Sequence, residues 1–151
     1  MNTQIASEKL KKYCAYQERS HKEVVDKLYK LGLYKSQVDE VLLELIQDDF
    51  LNEERFAEAF VSGKFRIKRW GRIKIKSHLK QKNISDYCIK KGMGVIDEAE
   101  YLETLNYWVE RKTREIKEAD TFKKKGKIAS FLMQKGFESF LIWEVLNEKK
   151  L

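Results

Sequence analysis

Val24-Val25-Asp26-Lys27-Leu28-Tyr29-Lys30-Leu31-Gly32-Leu33, with Val38 five residues further on, is the first of three copies of one pattern. The pattern is an apolar residue, Leu four positions later, Gly or Asn four beyond that, an apolar residue, and a last apolar residue five on. The second copy places Ile75, Leu79, Asn83, Ile84 and Ile89 there, and the third Ile128, Leu132, Gly136, Phe137 and Ile142. Apolar residues four apart lie on one side of a helix, so each leading pair predicts a buried stripe. The Gly or Asn falls where that helix must end, and these two types adopt the left-handed backbone of a helix terminus most cheaply. Asn83 in the register of Gly32 and Gly136 argues for one shared backbone geometry. A helical unit recurring every ~50 residues predicts an array that presents surfaces to partners rather than enclosing a catalytic pocket.

Working outward, a longer helix precedes each copy and another follows it, so the unit is three helices. Val38, Val41, Leu42 and Leu45 give the following helix its apolar side in the first copy, and Ile142, Val145 and Leu146 do so in the third. Ser20 with Glu23 has capping-box spacing, as has Asp97 with Glu100, and Asn52 suits the start of the second unit's long helix. Ser85 and Glu138 stand two residues after Asn83 and Gly136, where the next helices begin. Tyr34, in the equivalent place, is a poor cap, so that helix is expected to start late, at Ser36. The expected helices run about 5–17, 21–31, 36–49, 53–68, 72–82, 86–92, 98–118, 122–135 and 139–148. Gly92 and Gly94 weaken the sixth by roughly 1 kcal/mol each relative to Ala. The expected domains are residues 1–51, 52–96 and 97–151, each a three-helix repeat.

The chain has 151 residues, no proline, 36% charged and 42% hydrophobic residues, which suits a mainly α-helical protein. It offers no apolar run long enough for a membrane span, and Met1 to Glu8 lacks a signal-peptide pattern, so a cytoplasmic location is expected. Cys14 and Cys88 are too few and too far apart for a disulfide framework and read as reduced thiols.

Charge is segregated. The net charge is +7, yet Val38 to Glu58 holds eight carboxylates, among them Glu40, Glu44 and Asp48, against the lone Arg55. Ala59 to Ser85 has no acidic residue and carries Lys64, Arg66, Lys68, Arg69, Arg72, Lys74, Lys76, Lys80 and Lys82. Lys123-Lys124-Lys125 with Lys127 form a further basic group. Such asymmetry suits a polyanion or an acidic protein surface. Arg72, Lys76 and Lys80 recur every fourth residue beside the Ile75–Leu79 stripe, where like charges repel and an external anion would relieve them. In the preceding helix Phe56, Phe60 and Ile67 are expected to form the apolar side, with Lys64 and Lys68 beside it. Phe65 and Trp70 sit among these cations either as base-stacking platforms or as core anchors. The competing reading of the whole stretch is a solvated face. Lys64, Lys68, Arg69, Arg72, Lys76 and Lys80 are the candidate DNA- or filament-binding residues. Glu40, Glu44 and Asp48 are candidates for a basic protein surface, or else pair within the molecule.

Catalytic chemistry finds little support. His21 and His78 belong to no recognisable ligand or triad spacing, and Cys14, His21, His78 and Cys88 lack the paired spacing of a zinc site. No phosphate-cradling glycine loop occurs. Neither enzyme activity nor a metal or cofactor is expected.

The passage Asp48-Asp49-Phe50-Leu51-Asn52-Glu53-Glu54-Arg55-Phe56-Ala57-Glu58-Ala59-Phe60-Val61 resembles the signature segment of the bacterial RecX regulatory proteins. Gly71-Arg72, Lys74-Ile75, Leu79 and Lys82-Asn83-Ile84 are similar to that family's middle-repeat motif, with Asn83 where Gly is usual. Arg19-Ser20 through Glu23, Leu28 and Gly32 resemble its opening repeat, so the likeness covers essentially the whole chain. It implies an all-α fold of three tandem three-helix repeats in an elongated, curved array. It further implies a regulator of recombination and DNA repair that binds the RecA recombinase and its filament on single-stranded DNA. Such a monomer inhibits strand exchange and ATP hydrolysis by binding alone, with weaker affinity for bare single strands and none for membranes. The alternative is a nucleic-acid-binding, helix-turn-helix-like protein with no recombinase partner.

Overall fold

The structure, a computed structural model, describes residues 1–149. Among them the chain is all-α: α1 (Thr3–Tyr16), α2 (His21–Lys30), α3 (Lys35–Gln47), α4 (Glu53–Arg66), α5 (Arg72–Gln81), α6 (Asp86–Met93), α7 (Glu98–Glu115), α8 (Thr121–Gln134) and α9 (Ser139–Glu148).

The repeated motif does what its residue types dictate. Gly32, Asn83 and Gly136 have φ of 90°, 60° and 97°, the left-handed conformation that terminates a helix. The next residue then turns its N–H back to the motif Leu carbonyl: Leu33 to Leu28 at 3.3 Å, Ile84 to Leu79 at 3.2 Å, Phe137 to Leu132 at 3.1 Å. These bonds satisfy carbonyls a helix end leaves open, and the returning side chains Leu33, Ile84 and Phe137 are buried. Asp49 and Arg69 also adopt positive φ, 62° and 54°, with no glycine to announce them.

The contacts divide the chain into two compact units, Met1–Phe60 with Leu79–Gly92, and Val61–His78 with the chain from Met93 on. In the first, α1 and α2 pack on α3 around Ala6, Leu10, Val24, Leu28, Val38, Val41 and Leu45, with Leu42 half-buried at the margin. Buried Cys14 joins this core, and Cys88 is half-buried. Arg55 ties the start of α4 to what precedes it: its Nε donates to Glu18 at 2.6 Å and its Nη2 to the Asp49 carbonyl at 3.0 Å. Ser20, Asn52 and Ser85 cap α2, α4 and α6 through N–H bonds from Glu23, Arg55 and Cys88. Tyr34 offers no side-chain bond, yet α3 starts at Lys35 rather than at Ser36. Gln37 reaches back to accept from the Tyr34 N–H at 2.9 Å and replaces the missing cap. Gly92 is no mere weakness in α6. A Cβ there would lie 2.9 Å from the Ala57 backbone, so glycine permits α6 to touch α4.

In the second unit Tyr101, Leu105, Val109, Ile128, Leu132, Ile142 and Leu146 line the contacts of α7, α8 and α9, with Asp97 and Asp120 capping the first two. Phe65 is buried 6.0 Å from the Tyr101 ring, which lies 5.3 Å from Phe137, so Phe65 is a core anchor. Ile67 is a correction: it lies past the end of α4 and is 77% exposed, and Val61 and Phe65 bury instead. The helix ends at Arg66, and Ile67 lies exposed in the turn that leads to left-handed Arg69.

Candidate nucleic-acid interface

The second unit gathers cations on aromatic rings, and its construction starts at two glycines. Gly71 donates its N–H to the Lys135 carbonyl at 2.7 Å, and Ile73 donates to the Gly136 carbonyl at 2.9 Å. The open amides at the start of α5 thereby satisfy the open carbonyls at the end of α8. A Cβ on Gly71 would lie 2.3 Å from the Gly136 backbone, and one on Gly136 would lie 2.4 Å from the Lys74 Cβ. Only glycine at both positions permits this approach, which sets Lys74 beside Lys135.

A second device fixes the α4–α5 turn. Trp108, almost buried on α7, donates Nε1–H to the Arg69 carbonyl at 2.9 Å. Tyr101 donates its hydroxyl to Glu138 and accepts the Arg72 N–H at 3.0 Å. Burial, and then the bond to Glu138, push the Tyr101 phenol well above its ordinary value. The Arg72 guanidinium pairs with Glu138 at 2.7 Å and with Glu98, over the Tyr101 ring at 3.9 Å. Glu138 precedes α9 but makes no capping bond to that helix, because its carboxylate serves this network.

Onto this frame the cations fall ring by ring. Lys74 lies 4.3 Å and Lys64 5.0 Å from the Trp70 centroid, and His78 packs on the same ring at 4.6 Å. Arg69 covers Tyr107 at 4.1 Å. Lys112 covers Phe131 at 4.0 Å, and Lys135 lies 5.1 Å from Trp108 and 5.6 Å from Phe131. Arg111 stands 5.3 Å from Trp108. Burial first, then the charges of Lys74, Lys112, Arg111 and Lys68, push the Lys135 ammonium below the ordinary lysine value.

Of the residues expected to bind, Lys64, Lys68, Arg69, Arg72 and Lys76 lie in this unit, and Lys80 lies exposed in the other. Lys68, Arg69 and Lys76 are exposed, whereas the Arg72 charge is engaged by two carboxylates. The fold adds Lys74, Arg111, Lys112 and Lys135 to this face. Lys74 comes from α5, Arg111 and Lys112 from α7 and Lys135 from the end of α8, so they meet only in the fold, although Lys135 directly before Gly136 repeats the Lys82–Asn83 pair. In the first unit Glu44 accepts from Ser7 at 2.9 Å and pairs with Lys11 at 3.5 Å, while Glu40 and Asp48 are exposed. Among the described residues no group of three or more His, Cys, Asp or Glu is placed to hold a metal ion, and no helix is long and apolar enough to cross a membrane.

Fold and site together define a helical-repeat protein with a basic, ring-lined face. Residues 52–93 match the second three-helix domain of RecX and residues 98–146 the third. The regulatory protein RecX of Clostridium tetani is 33% identical over 136 residues, 86% of this chain and 60% of that protein. That of Chlorobium phaeobacteroides is 30% identical over 131 residues, covering 87% of this chain and 84% of that one. The crystal structure of RecX from Lactobacillus salivarius superimposes with a TM-score of 0.86 at 25% identity, over 97% of this chain and 95% of that one. The chain belongs to the RecX family of regulatory proteins. It spans 60% of the Clostridium tetani protein's length and 51% of a Bacillus cereus relative's.

Proposed function

We infer that this chain binds the RecA recombinase on its single-stranded-DNA filament and inhibits it by occupancy, without catalysing a reaction. The observation that carries this is the cation-on-ring face of the second unit, on a chain of a family of regulatory proteins. In this reading Lys64, Lys68, Arg69, Lys76 and Lys80 contact DNA or filament, and Arg72 holds the turn that presents Arg69 and Lys68. Glu40 and Asp48, with Glu44 beside them, meet a basic protein surface, which sets partner choice more than raw affinity. The protein acts as a cytoplasmic monomer.

Co-sedimentation with RecA filaments assembled on oligothymidine tests this. Saturable retention, tighter than on the bare strand, is the expected result. Equal affinity for filament and bare strand would overturn it. That outcome favours the second reading, a nucleic-acid-binding helical module without a recombinase partner, which the same basic face also suits.

A further inference from the structure

On the α7–α8 side of the basic face, cations outnumber the carboxylates that reach them. Lys135 and Lys112 share the Phe131 ring, and Lys135 and Arg111 share the Trp108 ring. The Gly136 approach adds Lys74, and the turn that Trp108 clamps adds Lys68 beside Arg69. Among the described residues Lys68, Lys74 and Lys135 have no ion pair. The anion that does reach this side is Glu115, whose carboxylate bridges Arg111 Nε at 2.6 Å and Lys112 Nζ at 3.0 Å. Arg111 and Lys112 hold the Glu115 carboxyl below its ordinary value. Glu115 is exposed at the last residue of α7, and exposed pairs three and four residues apart are weak, so a stronger anion displaces it readily.

We propose that Lys68, Lys74, Arg111, Lys112 and Lys135 form a phosphodiester-binding site for single-stranded nucleic acid, partly filled in the free protein by the Glu115 carboxylate. The proposal deepens the reading above, from which it takes nucleic acid as the partner. Clustered like charges in a partly buried setting are relieved by an external polyanion. The ring faces of Trp70, Tyr107, Trp108 and Phe131 are already covered by cations, which leaves them poorly placed to stack bases. The site therefore reads the backbone and ignores base identity. The acid-free stretch from Val61 to His78 continues the cationic track within the same unit, which suits a linear, regularly charged ligand over a single acidic side chain.

Fluorescence anisotropy of labelled oligothymidine of about 15 nucleotides tests this with the full chain. Lys135→Gln should weaken binding about tenfold, and Lys74→Gln similarly, the low end for a lost charge-assisted hydrogen bond. Each should also reduce the slope of log affinity against log salt by about 0.7. Glu115→Gln should act in the opposite direction and tighten binding about threefold. An abasic strand of equal length should bind within about threefold of oligothymidine, since lost stacking would cost more than that per base. Lys135→Arg should keep affinity, which separates charge from packing if the Gln variant melts early.

Unchanged affinity in both Gln variants, or weaker binding by Glu115→Gln, overturns the site. A large loss on the abasic strand overturns the backbone-only assignment. Competition by oligoglutamate as effective as that by unlabelled oligothymidine overturns nucleic acid as the ligand. Recombinase inhibition is read in parallel. Its absence with oligonucleotide binding intact fails the filament reading and leaves the site standing. Normal inhibition with strand binding insensitive to Lys135 and Lys74 fails the site alone.

Discussion

Gly32 and Gly136 occupy the same place in two copies of one motif, with φ of 90° and 97° and the same returning N–H bond to the motif Leu. Their surroundings differ completely. A Cβ on Gly32 would meet nothing within 4 Å, whereas one on Gly136 would meet Lys74 at 2.4 Å. Glycine at the first turn serves conformation alone. At the third turn it also serves a close approach, and that approach carries Lys74 to Lys135. One local solution to ending a helix has been reused as a docking point, and the basic face is assembled on it.

Substitutions can break or sharpen this comparison. The largest effect belongs to Gly136→Ala, which combines left-handed strain with a Cβ driven into Lys74. A loss of roughly 3–5 kcal/mol is expected by denaturant unfolding, with weakened oligonucleotide binding. Leu28→Ala and Leu132→Ala remove the same fully buried motif residue from the two copies. Each should cost about 2–5 kcal/mol, and similar values would show that the copies differ at the turn and not in the stripe. Glu138→Gln leaves Tyr101 without its charged acceptor and Arg72 with Glu98 alone, and should cost about 1–3 kcal/mol in the same measurement. Gly32→Ala should cost only about 1 kcal/mol and leave strand binding intact. Gly32→Asn should be milder still, because Asn83 already holds the equivalent turn at φ 60°. A Gly32 variant as damaging as the Gly136 variant would abolish the distinction.

The same contrast shows what was legible in the chain. The turn residues Gly32, Asn83 and Gly136, the buried Leu and the returning apolar side chains follow from local backbone chemistry, and their register alone places the helices. Periodicity places Ile67 with Phe56 and Phe60, but α4 ends at Arg66 and Ile67 is exposed in the turn that follows. The left-handed residue there is Arg69, whose type gives no signal of a turn. Gly92 counts against a helix in sequence terms, and only the nearness of Ala57 explains it. Glu138 has cap spacing but is recruited by Tyr101 and Arg72, residues 37 and 66 positions away. The site divides likewise. Lys64, Lys68, Arg69 and Lys76, proposed contacts, stand in a contiguous acid-free stretch that the sequence displays. Lys135, Lys112 and Arg111 join it through shared rings and a glycine contact, which linear charge counting cannot see.

The central functional claim is inhibition of a recombinase filament by binding, and ATP hydrolysis by the RecA protein of the same organism on single-stranded DNA measures it. Titrating this chain into that reaction should suppress hydrolysis at amounts well below stoichiometric, as expected of a ligand that blocks extension or promotes disassembly. Undiminished hydrolysis at equimolar protein, with strand binding verified separately, would contradict the account.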